Sequence, residues 1–518
     1  MDSRSIRLIP VLLGLVAFAA VAATIHGPGP VWDEPPTIIA SDCYIHWLAE
    51  PSLSREAIDH NWKVNHEHPP LAKLGMGIVR RAVQWAVPGM PYVATSRLFT
   101  AMAFGVLVGL VSAFAMNWGP AAGVAAGLFA LFMPRLFAHA HFATLDMLMA
   151  LMWFATAYAF SRGIKSNAWA AFAGVLFGKA LLTKINAVFI PVPLIIWVLV
   201  FHRKKALVPI ACLGIGAAVF FIGWPWLWHD TFGRLQAYFL GTTLERFAVQ
   251  AFYLGRVYTG QTGYAPWHYP FVLTLFTVPS GVLTCFALGV WSIIRKVPQI
   301  ATERGRSLAW LAAINAAAIL VVAALPIAPK YDGVRLFLPL FPFIACLAGL
   351  GFQRLWDWWG ARRFRAAAAG VFIAAQAAGI IIFHPYETSC YNLLCGSLPG
   401  AKAIGLETTY WCDVYSRPVF DFVNALPPGT RVAFYPVGEF MEPVYRADGY
   451  LANEIRYVDF AEGDFDYAVL MNRQGMLRGT SKAAERAREM FEKHPEESLL
   501  TVKRLGVPLC VVKRRESP

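Results

Sequence analysis

Long apolar runs recur along this chain at a spacing that leaves it little choice of fold. Runs of spanning or near-spanning length fall at roughly 6 to 25, 93 to 116, 119 to 133, 143 to 161, 167 to 183, 185 to 201, 206 to 223, 270 to 294, 307 to 327, 334 to 352 and 366 to 383. In hydrocarbon a backbone must satisfy its own amides, so such runs become helices. The expectation is a mostly α, polytopic membrane protein with about eleven transmembrane helices. Composition agrees: the 518 residues are 57% hydrophobic and 15% charged, with a mean hydropathy of +0.49.

The first run has a basic start and a Val-Ala-Ala near its end, features shared with cleaved signal peptides. Its apolar part of about 18 residues is long enough to cross a bilayer, and further spans follow, so it is read as an anchoring helix. With a cytoplasmic amino terminus, four basic clusters fall inside together. They are Arg162 with Lys165, Arg203 to Lys205, Arg295 with Lys296, Arg304 and Arg306, and Arg354 with Arg362, Arg363 and Arg365. That placement accounts for much of the excess of 45 Lys+Arg over 32 Asp+Glu. No basic run is interleaved with stacking aromatics, so nucleic acid is excluded as a partner.

The same count puts residues 26 to 92, 134 to 145, 224 to 269 and everything after about 384 on the outer face. Residues 1–383 are expected to form the membrane domain, with outer loops 26–92 and 224–269, and residues 384–518 a small extracytoplasmic α/β domain. In the latter, RVAFYPVG, FDYAVLMN and LLTVKRLGVPLCVVKR have strand patterns, separated by the helical SKAAERAREMFEKH. The cysteine spacings match no zinc signature. An oxidising compartment would permit a disulfide among Cys390, Cys395 and Cys412.

An ionisable group at the membrane edge is costly enough to suggest function, and four clusters meet that description. In VWDEPPTIIASD, Asp33 and Glu34 follow the first span closely and suit a general base with an orienting partner, or two solvated loop acids. In NHEHPPLAK, the pair Pro69 and Pro70 can open a helix. The following LAKLGMGIVRRAVQWAV has interfacial amphipathic spacing, with Lys73, Arg80 and Arg81 available to lipid phosphates. In PRLFAHAHFATLDMLMAL, His139 and His141 offer two metal ligands without a third, and Asp146 enters the next helix, where its charge favours the dipole. Lys184 in LLTKIN, with Lys330 and Arg335 in PKYDGVRLFLPL, places cations near outer helix ends, where they either snorkel or hold an anion such as a polyprenyl phosphate.

An acidic pair just after the first span, then HPPLAK, then a leucine-flanked aspartate opening a later helix, resembles the dolichyl-phosphate-mannose protein mannosyltransferases. Their bacterial relatives, including the aminoarabinose lipid A transferases, share it, and all belong to the glycosyltransferase C superfamily. The likeness continues through GKALLTKINAVFIP, FYLGRVYTGQTGYAPWHYP and RLFLPLFPFIACLAGLG, covering most of residues 25 to 350. It implies the glycosyltransferase C fold and transfer of a sugar from a polyprenyl phosphate donor to a glycan, lipid or protein hydroxyl. The site would be on the outer face of a bacterial inner membrane.

By the same resemblance Asp33 is the catalytic base with Glu34 beside it, and Asp146 is the second acid. Arg335 and Lys184 hold the phosphate, helped by Lys330, while His68, Pro69, Pro70, Lys73, His139 and His141 shape the pocket. No metal ligand set and no firm cofactor are implied, and a requirement for a divalent cation stays open. There are departures. Lys179 stands where the family often has leucine, LTLFTVPSG lacks a lysine that many relatives carry, and residues 224 to 269 leave no room for the β-trefoil insertion of the eukaryotic enzymes. The last point favours the bacterial branch. A competing class, a transporter or flippase of lipid-linked sugars, would be expected to show matched halves and midplane charges, and neither is found.

Overall fold

The computed structural model of the protein describes residues 3–243, 249–259, 263–359 and 364–515, so Arg362 and Arg363 of the fourth basic cluster lie outside the described residues. Helix α1 (Ser3–Ala23) leads into a layer of three shorter helices, α2 (Glu34–Ala49), α3 (Arg55–Trp62) and α4 (Leu71–Ala86). Prolines start two of them, because a first-turn residue has no intrahelical amide bond to lose. Pro35 and Pro36 follow Glu34 in α2, and Pro70 precedes α4.

The bundle proper continues with α5 (Tyr92–Ala115), which packs along α1, then α6 (Pro120–Leu131), α7 (Pro134–Ala140), α8 (Asp146–Gly163) and α9 (Asn167–Leu181). The helix Leu340–Trp358 runs buried through the centre. It meets the helix Ser280–Arg295 backbone to backbone: a Cβ on Gly289 would lie 1.9 Å from the Leu347 carbonyl oxygen, and one on Gly351 1.9 Å from that of Cys285. Glycine is what permits that approach.

Among the described residues, four helices are long and apolar enough to cross a membrane, or six if each of two bent pairs is one span. The expected eleven are not reached on length and composition. Several expected runs are cut short by prolines or turns, leaving Ile185–Phe201 as a shorter apolar helix and α6–α7 bent by 65°.

In the segment expected as the second large outer loop, a hairpin pairs β1 (Ala251–Tyr253) with β2 (Arg256–Tyr258). The carboxy-terminal region holds a five-stranded sheet of β3 (Arg431–Tyr435), β4 (Arg456–Val458), β5 (Tyr467–Met471), β6 (Leu500–Arg504) and β7 (Val507–Arg514), in the order β4-β3-β5-β7-β6. β3 is parallel to β4 and β5, and β7 is antiparallel to β5 and β6. The three strand-like sequences and the helix Lys482–Glu492 are thus present, and β4 adds a strand the sequence pattern did not reveal.

The stretch from 384 to 416 ties this sheet unit to the bundle. Gly29 donates its amide to the Asp413 carbonyl at 2.9 Å, and Asn392 donates to Phe276 at 2.7 Å. Asp448 accepts from the first amides of α5, Tyr92 at 2.7 Å and Val93 at 2.8 Å, serving as a cap delivered from the far end of the chain. The disulfide allowed among Cys390, Cys395 and Cys412 does not form, since all eight cysteines are free.

Candidate functional site

Asp33 occupies the N-cap position of α2 without capping it by its side chain. Its carboxylate turns instead to Arg335, which donates from Nη2 to Asp33. Arg335 follows a turn in which Asp332 and Gly333 have φ of 53° and 68°, the left-handed region where glycine is at ease. That turn folds the Asp332 carboxylate back onto Arg335 Nη1 at 2.9 Å.

Arg335 Nε lies 3.4 Å from Asp146, whose other oxygen accepts from Lys184 Nζ at 2.5 Å. The Trp411 ring covers the guanidinium at 4.3 Å, and the His139 ring packs on the same indole with centroids 5.1 Å apart. Three carboxylates and two cations therefore converge from four separate parts of the bundle. Asp146, Lys184, Asp332 and Arg335 are buried, while the Asp33 side chain keeps 28% of its surface.

Asp33 is therefore the member of the cluster that solvent can reach. Burial pushes the Asp33 carboxyl above its ordinary value, Arg335 pulls it down, Asp332 and Asp146 push it up again, and the net direction is upward. A carboxylate of raised basicity beside a fixed cation suits proton abstraction.

Glu34, expected to stand beside Asp33 in the chemistry, has another place. It is fully buried, with Arg97 Nε donating at 2.7 Å and Nη2 at 2.8 Å to its two oxygens. The amides of Val31 and Ala143 complete its partners at 2.8 Å each. Each oxygen of Glu34 thus accepts two hydrogen bonds, which suits an architectural role in this arrangement. In a helix, consecutive side chains diverge by about 100°, and the α2 start sends one acid outward and the other into the core.

The HPPLAK block lies against the segment carrying Lys184, for Leu71 donates its amide to the Leu182 carbonyl at 2.9 Å. Within it, Lys73 is buried and donates to the carbonyls of Asn65 at 2.5 Å and His68 at 2.7 Å, which fixes the loop containing Pro69 and Pro70. Burial pushes the Lys73 ammonium well below its ordinary value. Arg80 is also buried, paired with Asp42 and 4.2 Å from the Tyr92 ring. Of the three cations expected at lipid phosphates, only Arg81 is exposed. A buried cation needs fixed partners, and α2 and its neighbours supply them.

Lys330 is buried too, donating to the carbonyls of Leu325 at 2.7 Å and Ala328 at 3.0 Å. His139 and His141 do not converge on one point. His141 bonds the Thr24 hydroxyl at 2.8 Å and the Phe137 carbonyl at 2.9 Å, and burial pushes it down to about 4. Among the described residues, the group of His, Asp or Glu with metal-holding spacing is the exposed His494, Glu496 and Glu497, far along the chain from this cluster.

Sequence reasoning passed over three members of the arrangement. Asp332 had a readable signal, an acid three residues before the expected Arg335 with a glycine between. Trp411 and Arg473 had none, because their place depends on how the sheet unit docks. Arg473 donates from Nη2 to the free oxygen of Asp332 at 2.7 Å and lies 4.5 Å from the Trp32 ring.

Residues 81–229 match the family of dolichyl-phosphate-mannose-protein mannosyltransferases, a stretch that includes Asp146 and Lys184 but neither Asp33 nor Arg335. No curated protein matches the chain. Among solved structures, ArnT from Cupriavidus metallidurans, solved both bound to undecaprenyl phosphate and in the apo state, is similar with a TM-score of 0.51 at 17% identity. The likeness covers 96% of this chain and 97% of that one. The archaeal oligosaccharyltransferase AglB from Archaeoglobus fulgidus, in complex with an inhibitory peptide and a dolichol-phosphate, has a TM-score of 0.45 at 12% identity, over 89% of this chain and 69% of that one. The chain therefore shares its overall fold with ArnT, and residues 81–229 of it are similar to the dolichyl-phosphate-mannose-protein mannosyltransferases.

Proposed function

We propose that this protein transfers a sugar from a polyprenyl phosphate donor to an acceptor hydroxyl at the outer surface of a bacterial inner membrane. The observation that carries the reading is the one partly exposed carboxylate, Asp33, held by Arg335 at the edge of a buried cluster of matched charges. The likeness to ArnT, a structure solved with undecaprenyl phosphate, supports the choice of donor class. The proposal takes residues 1–383 as a membrane domain of about eleven spans, with residues 384–518 outside and the amino terminus in the cytoplasm.

In the reaction, the acceptor oxygen attacks the anomeric carbon while Asp33 takes its proton. The bond from that carbon to the phosphate oxygen breaks, and its electron pair leaves with the polyprenyl phosphate. A single displacement inverts the anomeric configuration. Arg335 and Lys184 stabilise the charge growing on the phosphate, with Asp146 fixing both cations before the donor arrives. His68, Pro69, Pro70 and Lys73 shape the pocket by holding the outer loop in place. A phosphate that draws Arg335 toward itself also leaves Asp33 the stronger base, so donor binding and base activation go together.

The test offers the purified protein in nanodiscs a panel of radiolabelled polyprenyl phosphate sugars, with membrane extract as acceptor. Wild type should move label into an acceptor and Asp33→Asn should not. Label that stays on its lipid but crosses sealed vesicles with either protein would replace this reading with a lipid-linked sugar flippase.

A further inference from the structure

We propose that Arg473, carried by the sheet unit, is a positioning residue of the phosphate site: through Asp332 it sets where Arg335 rests and how much of its charge is free for an anionic headgroup. The inference rests on the reading of Arg335 as a phosphate ligand given above.

Asp332 is a shared carboxylate. One oxygen accepts from Arg335 and the other from Arg473. With Arg473 present, the acids Asp33, Asp146 and Asp332 face the cations Lys184, Arg335 and Arg473, and the buried cluster is balanced. Take Arg473 away and the balance tips to one excess negative charge, with Arg335 the sole guanidinium serving all three acids. An incoming phosphate would then meet repulsion and a tethered arginine. In a region shielded from water, one unit charge within several ångströms is worth a large change in anion affinity.

The arm that holds Arg473 is built with care. It follows β5, where Asn472 donates its amide to the Leu509 carbonyl at 2.8 Å and accepts the hydroxyls of Thr408 and Thr409 on its own carbonyl at 2.9 Å each. Immediately after Arg473, the amides of Gln474 and Gly475 donate to Glu407 at 2.6 Å and 2.8 Å. Glu407, Thr408 and Thr409 belong to the same ETTYW segment that brings Trp411 onto Arg335. One segment therefore fixes both contacts of the sheet unit with Arg335, the indole directly and Arg473 through Asp332. The Arg473 guanidinium also stacks on Trp32, the residue before Asp33.

The experiment measures undecaprenyl phosphate binding to the full chain in nanodiscs, with wild type, Arg473→Gln, Arg473→Lys, Asp332→Asn and the Arg473→Gln, Asp332→Asn double variant. Arg473→Gln should weaken binding about tenfold, and Arg473→Lys, which keeps the charge, should return it to within about threefold of wild type. Asp332→Asn should tighten binding several-fold by releasing Arg335. In that background Arg473→Gln should weaken binding clearly less than it does alone, because the route through Asp332 is gone and only the direct effect of its charge remains.

A lysine variant as weak as the glutamine one, or a glutamine effect undiminished in the Asp332→Asn background, would reduce Arg473 to a packing role and overturn the inference. Should Arg473→Gln fail to fold, the sign of the Asp332→Asn effect decides, and unchanged or weaker binding counts against it. If wild type itself shows no saturable binding, the phosphate reading falls and this inference falls with it.

Discussion

Asp33 and Glu34 are consecutive residues of the same type, and the fold gives them opposite lives. Glu34 has one guanidinium and two amides arranged around both oxygens, none of its surface left to water. Asp33 has a single arginine partner that two other carboxylates also claim, and more than a quarter of its side chain stays exposed. The first arrangement leaves nothing to exchange and can only be kept or broken. The second is a contest of three carboxylates over one cation. A fully satisfied buried pair serves architecture, whereas a partly satisfied pair at a surface serves chemistry.

Substitutions should separate the two acids. Asp33→Asn should lower sugar transfer by on the order of 10² to 10⁴, with the unfolding temperature in detergent little changed. A variant that unfolds early would place Asp33 on the architectural side with its neighbour. Glu34→Ala should do the reverse by stranding Arg97 in the core, a loss of about 3 to 5 kcal/mol read as a large drop in the temperature at which a monodisperse peak survives heating. Survival of that peak at wild-type temperatures would mean that the Arg97 site tolerates water.

Other buried acids extend the comparison to carboxylates held mainly by neutral donors. Burial pushes Glu407 and Asp413 up to about 7 each, with backbone amides at the first and the Thr388 hydroxyl at the second. A native value above the unfolded one means that the stability these groups lend is complete below about pH 4 and is lost as the pH rises through about 7. The unfolding temperature should therefore fall between about pH 5 and 8, by an amount equivalent to roughly 1 to 3 kcal/mol. Glu407→Gln with Asp413→Asn should flatten that slope, and an unchanged slope would locate the titration elsewhere. The smallest effect belongs to Asp448→Ala, which removes the cap of α5 and should cost about 1 kcal/mol in the same assay. A loss as large as that of Glu34→Ala would show that the cap does more than satisfy two amides.

Much of this was legible beforehand because hydrophobic runs and costly charges announce themselves locally. The bundle, the sheet of the carboxy-terminal region, and the grouping of Asp33, Asp146, Lys184 and Arg335 were all expected. What was not legible came from distance. The pairing of Glu34 with Arg97 was not foreseen, because no local pattern joins residues so far apart. Lys73, Arg80 and Lys330 look like surface cations until the fold turns them toward carbonyls, a carboxylate and a ring. Trp411, ahead of β3, and Arg473, just after β5, carry no local pattern that points to chemistry, because their meaning is a docking geometry.

The cap on α5 has a consequence for how the protein is made. A ribosome delivers Tyr92 and Val93 to the membrane long before it reaches Asp448, and Arg473 follows later still. The helices can form as they emerge, but the start of α5 waits for the carboxy-terminal region to supply its cap. Until the sheet unit is made, the first amides of α5 stay without their Asp448 cap and Asp332 without its Arg473 partner, so the chain closes this part of its interior only after most of the bundle exists.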